Sequence, residues 1–228
     1  MSNQLFDAYF TAPAMRAIFC DAGRVQGMLD FEAALARAEA RVGLIPPEAV
    51  APITAACRAE LYDFAALAQA IAIAGNSAIP LVKALGQRIA ATSPEAERFV
   101  HLGATSQDAM DSGLVLQLRA AIELIESDLA TLGDALAAQA ERHADTPLAG
   151  RTWLQQATPV TLGMKLAGVL GAITRHRQRL SELKPRLLCL QFGGASGSLA
   201  ALGEQAWPVA EALAAELQLH LPEQPWHT

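Results

Sequence analysis

The chain has 228 residues, carries a net charge of −6, and is 52% hydrophobic but only 5% aromatic. Much of the hydrophobic share is alanine. Alanine, leucine, glutamate and arginine favour helices, whereas the residues that favour strands are sparse, so the composition predicts an all-α fold. The acidic balance and the lack of a Lys/Arg run argue against a nucleic-acid or anionic-membrane partner.

The amino terminus, the cysteines and the histidines indicate a cytoplasmic protein without a metal site. The segment MSNQLFDAYF lacks the basic and then apolar parts of a secretory signal, and no stretch of about 18 apolar residues predicts a membrane span. Cys20, Cys57 and Cys189 are far apart and odd in number, which is typical of reduced core thiols. The five histidines lack the spacing of metal ligands.

The first clear element is a helix from about Arg24 to Val42. Its apolar residues recur at alternating steps of three and four, which places them on one face: Met28, Phe31, Leu35, Ala38 and Val42. Gly43 and the prolines after it end this helix. Shorter helices are predicted as far as Arg98, and together these elements predict an amino-terminal helical domain over residues 1–108.

A long helix is predicted next, from about Ala109 to Ala144, with a length of roughly 50 Å. One apolar seam runs along it: Leu114, Leu118, Ile122, Ile125, Leu129, Leu132 and Leu136. A helix of this length needs a partner for its seam, because helix propensity alone does not stabilise it.

A second long helix is predicted to begin with Thr158 as its N-cap and Pro159 at its first position, and to kink or end at Pro185. Its seam again alternates four and three: Leu162, Leu166, Val169, Ile173, His176, Leu180, Leu183 and Leu187. Its glycines predict a close approach of another helix: Gly163, Gly168 and Gly171.

A third helix is predicted from near Pro208 to Gln218. Residues 109–228 supply few partners for the two long seams. We therefore predict that they form an incomplete central helical bundle, which is completed by other copies of the chain, by further sequence, or by both.

The segment His101-Leu-Gly-Ala-Thr-Ser-Gln-Asp108 precedes the first long helix. Thr105, Ser106 and Gln107 place two hydroxyls and an amide beside the free N–H groups of a helix start, which favours negative charge. The segment is therefore either a carboxylate-binding loop or a simple cap made by Ser106 or Asp108. A structural and a catalytic role are equally compatible with His101.

The segment from Gly150 to Pro159 precedes the second long helix. Arg151 can bind a carboxylate in a bidentate fork, and Thr152, Gln155 and Gln156 add polar groups. On local grounds alone, an ordinary connection between helices is favoured, in which Trp153 packs and the arginine pairs with a nearby acid.

A glycine-rich segment follows from Gln191 to Ser198. It lacks the Gly-Lys-Ser/Thr of a phosphate loop and the G-x-S-x-G spacing of a nucleophile elbow. We predict a flexible loop that lets the backbone approach a ligand or another subunit.

The three segments, in this order, resemble the fumarase/aspartase superfamily. HLGATSQDAMDS (101–112) resembles the first common region of its adenylosuccinate lyase-like branch, and GRTWLQQATPVTLGMK (150–165) resembles the second. QFGGASGSLAAL (191–202) resembles the glycine-rich segment that follows. The resemblance covers essentially the whole chain, starting with FDAYF and DFEAALARAEA.

One position separates branches of this superfamily, because Trp153 stands where many of its lyases have a histidine after Gly-Arg-Thr. GRTWLQ, together with the terminal PEQPWHT, resembles the carboxymuconate-lactonising branch, which acts in the bacterial breakdown of aromatic compounds. The resemblance implies that a carboxylate of a tricarboxylate substrate adds across a conjugated double bond, without a metal or redox cofactor. It also implies a substrate-binding set: Thr105, Ser106, Arg151, Thr152 and Gln155 bind carboxylates, His101 and Asn76 line the pocket, and Trp153 shapes it.

The superfamily's third region, of the form G-S-S-x-x-M-P-x-K-x-N-P, appears nowhere in these residues. It brings a catalytic serine and a lysine, so the catalytic residues stay unassigned and we expect the 228-residue chain to be inactive alone. The resemblance further implies a homotetramer whose subunits share each active site. Two other interpretations are a non-catalytic helical assembly module and an adenylosuccinate lyase-like elimination enzyme, the second of which Trp153 disfavours.

Overall fold

The computed structural model describes residues 7–226, so Phe6 of the FDAYF segment and the terminal His227 and Thr228 lie outside the described residues. Over that range the fold is all-α, as predicted, apart from one small hairpin. The helices are α1 Asp7–Phe10, α2 Pro13–Phe19, α3 Asp21–Arg41, α4 Val50–Ala56, α5 Phe64–Ala74, α6 Ala78–Ala90, α7 Pro94–Glu97, α8 Ser106–Arg142, α9 Leu162–Leu187 and α10 Ala206–Leu217. The strands are β1 Pro147–Thr152 and β2 Gln155–Thr161.

The chain divides into two compact units. The first unit contains the residues up to Ala120 and those from Arg186 onward, and the second unit is Ala121–Pro185. Helix α8 begins in the first unit, and the hairpin lies in the second. The division into an amino-terminal domain (1–108) and a central bundle (109–228) stays a prediction.

Helix α3 is the centre of the first unit. Four of its five predicted seam residues are almost completely buried, namely Met28, Phe31, Leu35 and Ala38. The fifth, Val42, is partly buried and packs against the same core. The helix begins at Asp21, earlier than predicted, because the Cys20 thiol accepts a hydrogen bond from the Gly23 N–H at 3.4 Å. Cys57 is a core thiol, as predicted, whereas Cys20 and Cys189 are only half-buried.

Two contacts fix α3 against its neighbours. Helix α10 packs along it, and Glu216 of α10 accepts hydrogen bonds from Arg37 at 2.7 Å and from Arg41 at 2.6 Å. The backbones of α3 and α8 touch where Gly27 meets Gly113, since a Cβ on Gly113 would lie only 2.8 Å from the backbone of α3.

The glycine contact decides which face of α8 is buried in the first unit. Ala109, Ser112 and Val115 are buried, whereas Leu114 and Leu118 of the predicted seam are only half-buried. The apolar seam of α8 therefore differs from the face that α3 covers. It stays only partly covered by the described chain.

The second unit corrects the predicted start of the second long helix. Thr158 and Pro159 lie in β2, and α9 begins only at Leu162. The residue before it, Thr161, caps the helix, because its hydroxyl accepts a hydrogen bond from the Met164 N–H at 3.0 Å. Helix α9 also continues through Pro185 before it ends at Leu187. The third helix, predicted from Pro208, begins slightly earlier, at Ala206.

The second unit leaves apolar seam residues exposed. The exposed fractions of Ile125, Leu132 and Val169 are 39%, 45% and 48%. Of the three seam glycines, Gly163 does meet a close neighbour, since a Cβ there would lie 2.5 Å from the Ala140 carbonyl oxygen. None of the described helices combines the length and the hydropathy that a membrane span requires.

Candidate functional site

A cleft of about 450 Å³ lies in the first unit between α6 and the loop before α8. Eight residues line it, four from each side: Ala78, Ile79, Val82 and Lys83 from α6, His101, Ala104 and Thr105 from the loop, and Ser106 from the first position of α8. Three of the predicted substrate-binding residues thus share one cavity. The α6 wall also brings a lysine that sequence reasoning missed.

Asn76, a fourth predicted substrate-binding residue, does not line the cleft but contacts it through Ser106. Its side-chain N–H group donates to the Ser106 hydroxyl at 3.2 Å. Its carbonyl oxygen accepts from the N–H groups of Ala78 and Ile79 at 2.9 and 3.0 Å, which caps the start of α6. Asn76 therefore holds both walls of the cleft in place.

His101 is held by a buried carboxylate. Its Nδ1 lies 2.6 Å from Oε1 of Glu32, whose side chain is 2% exposed. Burial alone would lower the pKa of His101, but the charge and the hydrogen bond of Glu32, together with the charge of Asp108, more than offset it and raise the pKa. Because Nδ1 is engaged, the other ring nitrogen is left for the cleft.

A second buried acid, Glu39, lies seven residues beyond Glu32 on α3. Its side chain is fully buried, and neither of its oxygens has a hydrogen-bond partner within the described residues. Burial, and then the charge of Glu32, raise the pKa of Glu39 to about 9. The raised pKa favours the protonated form of Glu39 at neutral pH.

Asp108 ties the cleft loop to the glycine-rich segment. Its fully buried carboxylate accepts hydrogen bonds from the Thr105 N–H at 3.0 Å, the Gln191 amide at 3.1 Å, and the N–H groups of Gly193 and Gly194 at 3.0 and 2.9 Å. This segment was interpreted either as a carboxylate-binding loop or as a simple cap, and Asp108 has the structural role of the second interpretation. The Ser106 hydroxyl stays in the cleft.

The first half of the glycine-rich segment is therefore not the flexible, ligand-approaching loop that was predicted. Residues 191–194 are buried, and a Cβ on Gly194 would lie 2.9 Å from the Gly103 carbonyl oxygen, so only glycine fits this approach. The Gln191 backbone exchanges two hydrogen bonds with the Ser112 hydroxyl, at 2.8 and 3.0 Å. The segment is a buried support for the cleft loop.

The terminal PEQPW residues are anchored to the same support. The Trp226 N–H donates to the side-chain oxygen of Gln191 at 2.9 Å, and its indole N–H donates to Asp111 at 2.8 Å. Asp111 also accepts from the Gln107 amide at 2.7 Å. These residues hold the first turn of α8, below the cleft loop.

The other four predicted site residues lie in the second unit, at the end of the hairpin. Arg151 pairs with Gln156 and Thr152 with Gln155 across the two strands, and all four side chains are exposed. Trp153 and Leu154 form the turn, with φ angles of 47° and 62° and exposed fractions of 92% and 102%. Positive φ at two bulky residues is strained backbone, which is common at functional sites.

Within residues 7–226, no three histidine, cysteine, aspartate or glutamate side chains gather as a metal site would require. The cleft instead offers two hydroxyls, an imidazole and an ammonium group. These groups suit a small anion.

The cleft has the size that small-molecule sites usually have. The chain belongs to the lyase family, whose model, described as Lyase, matches residues 8–228. It is 78% identical over 227 residues to 3-carboxy-cis,cis-muconate cycloisomerase of Pseudomonas aeruginosa, covering 100% of this chain and 50% of the relative. The predicted place in the fumarase/aspartase superfamily is confirmed.

Solved structures agree with this assignment. The crystal structure of 3-carboxy-cis,cis-muconate lactonizing enzyme from Pseudomonas putida is 78% identical, with a TM-score of 0.97, and the match covers 99% of this chain and 51% of that one. The β-carboxy-cis,cis-muconate cycloisomerase of Acinetobacter calcoaceticus sp. ADP1 is 41% identical, with a TM-score of 0.96, covering 98% and 52%. The chain thus spans about half the length of the relatives it matches.

Proposed function

We propose that this chain supplies part of the active site of a 3-carboxy-cis,cis-muconate cycloisomerase. In that reaction one substrate carboxylate adds across a conjugated double bond to close a carboxymuconolactone ring, and a proton is added at the neighbouring carbon. The observation that carries the proposal is the cleft in which Thr105, Ser106 and His101 face α6. Its groups match a polyanionic substrate, and no acid lines it.

The cleft residues bind and orient a carboxylate. The hydroxyls of Thr105 and Ser106 stand at the start of α8, where the free N–H groups of the helix favour negative charge. Asn76 fixes the Ser106 hydroxyl, and the Glu32 carboxylate orients the His101 ring. A bound carboxylate is held in a fixed geometry in this way, which lowers the entropic part of the barrier to ring closure.

The hairpin contributes a second set of groups in this proposal. Arg151 binds a carboxylate in a fork, Thr152 and Gln155 add hydrogen bonds, and Trp153 shapes an apolar wall. The exposed and strained turn at Trp153 and Leu154 supports this role, because a bulky apolar pair in such a conformation needs a compensating contact. Trp153 carries no titratable proton, so the proton donor is supplied by another group.

The assembly is also part of the proposal. The enzyme works as a cytoplasmic homotetramer in the β-ketoadipate route of aromatic breakdown, and the long-helix seams form its subunit contacts. The exposed Ile125, Leu132 and Val169 support this arrangement, since exposed apolar stripes on long helices need partners.

These same seams favour the alternative of a non-catalytic helical assembly module. The two functions differ in one measurable respect, because an assembly module would form oligomers by light scattering without affinity for a polycarboxylate. The proposed enzyme part binds such a ligand through its cleft.

Fusing this chain to the carboxy-terminal half of the Pseudomonas putida enzyme tests the proposed activity, since this chain is 78% identical to the 51% of that enzyme that it matches. We expect the chimera to remove the ultraviolet absorbance of the conjugated muconate and to leave adenylosuccinate unchanged. Ser106→Ala should lower kcat/KM roughly tenfold to a hundredfold, because a hydrogen bond to a charged group contributes about 1.5–3 kcal/mol.

Ser93→Ala is the matched control, because it removes a hydroxyl at the start of α7 that makes no side-chain cap bond. A helical chimera, checked by circular dichroism, that leaves the muconate unreacted would contradict the proposal. A chimera that converts adenylosuccinate instead of the muconate would also contradict the proposal.

A further inference from the structure

We propose that Lys83 is a substrate-recognition residue of this cleft, whose ammonium group binds a second carboxylate of the ligand. The inference rests on the proposed function, since it adds a residue to the same cleft. It also gives the α6 wall a role that the sequence motifs did not indicate.

The lining of the cleft carries the inference. Lys83 is the charged residue of the α6 wall, His101 is the titratable residue of the loop wall, and no carboxylate lines the cavity. The whole chain has a net charge of −6, so a cleft with basic and hydroxyl groups and no acid departs from the average surface. Such a departure indicates an anion site.

Lys83 is free to serve a ligand. It is exposed, and it makes no ion pair within residues 7–226. The neighbouring groove, which Lys83 also borders, contains one acid, Asp63. An Asp63 oxygen already accepts hydrogen bonds from the N–H groups of Ala65 and Ala66, at 2.9 and 3.2 Å. Asp63 therefore caps the start of α5, and among the described residues it makes no ion pair with Lys83. The ammonium group of Lys83 is thus available to a ligand in the cleft.

Two basic side chains on facing walls of the cleft explain a preference for a polycarboxylate. Glu32 engages Nδ1 of His101 and so orients the ring, while the raised pKa of His101 favours its charged form. Lys83 and His101 then stand on the two walls of one cavity, and a ligand with several carboxylates engages both of them. A monocarboxylate engages only one of these two side chains, so it binds more weakly.

The test measures the binding of tricarballylate, a saturated tricarboxylate, to the purified chain by calorimetry. We expect Lys83→Met to weaken this binding about tenfold and Lys83→Arg to retain most of it, because the arginine keeps the charge. Acetate binding should change less than tricarballylate binding. Lys165→Met is the matched control, since Lys165 is also exposed and makes no ion pair in the described part of the chain, and it should bind as the unsubstituted chain does.

Two outcomes separate this inference from the proposed function. If Ser106→Ala weakens tricarballylate binding while Lys83→Met leaves it unchanged, the role of Lys83 is wrong and the carboxylate cleft stands. If the unsubstituted chain shows no saturable binding, both the role of Lys83 and the polycarboxylate site are contradicted. Because Lys83 is exposed, its replacement should leave the helical content unchanged, which circular dichroism checks.

Discussion

Replacing Asp108 with alanine should lower the free energy of unfolding by about 4 kcal/mol. The change removes the acceptor for four buried hydrogen bonds, from Thr105, Gln191, Gly193 and Gly194. Each buried donor left without a partner costs about 1–3 kcal/mol, and part of this cost is recovered when water enters. Urea unfolding followed by circular dichroism measures the loss.

Asp108→Asn sharpens this test. The amide keeps the shape of the side chain but turns one accepting oxygen into a donor that faces N–H groups, so we expect about half of the loss. Hydrogen exchange should also show lost protection at the amides of Gly193 and Gly194. Asp128→Asn is the control, because Asp128 is exposed on the same helix. Equal stabilities of the Asp108→Asn and Asp128→Asn variants would show that the carboxylate does not hold the glycine-rich segment.

Replacing Glu39 with methionine should raise the free energy of unfolding by about 3 kcal/mol at pH 7. The pKa of Glu39 is raised from 4.5 to about 9 by burial and by the charge of Glu32. Below pH 4.5 both the folded and the unfolded chain hold the proton. Between pH 4.5 and 9 the unfolded chain releases it and the folded chain keeps it, so the folded state loses stability as the pH rises.

Methionine removes that loss and replaces two oxygens, which have no hydrogen-bond partner among residues 7–226, with an apolar side chain of similar length. The advantage of the variant should therefore grow from pH 4.5 to pH 7 in paired urea titrations. Glu123→Met, at an exposed position of α8, should show no such growth. An advantage for Glu39→Met that is the same at both pH values would mean that Glu39 is ionised in the folded chain.

The helical part of the fold could be predicted because it depends on local periodicity. The three-four pattern identified α3 and α8, and four of the five predicted α3 residues are in the core. The hairpin could not be predicted, because its turn is made by Trp153 and Leu154 with positive φ, whereas the usual signal for such a turn is Asn-Gly or Asp-Gly. Thr158 and Pro159 match the residue pattern of a helix start but lie in β2, so the predicted start of α9 was wrong.

The candidate site could be predicted in part for a similar reason. The polar residues His101, Thr105 and Ser106 lie close together in the sequence, so their common cleft follows from it. Lys83 is a single exposed lysine on a helix, and only the packing of α6 against the loop brings it to the cleft. Glu32 lies among the apolar residues of α3, and its position indicates a buried acid that needs a partner. The sequence does not indicate which residue that partner is, because His101 is 69 positions away.

The central claim is that the cleft beside α6 is a polycarboxylate site. The most direct measurement is a map of amide chemical shifts of the ¹⁵N-labelled chain during titration with tricarballylate. We predict saturable shifts that are concentrated at Asn76, Lys83, Thr105 and Ser106. Shifts that are absent from these residues, or spread evenly over the exposed surface, would contradict the claim.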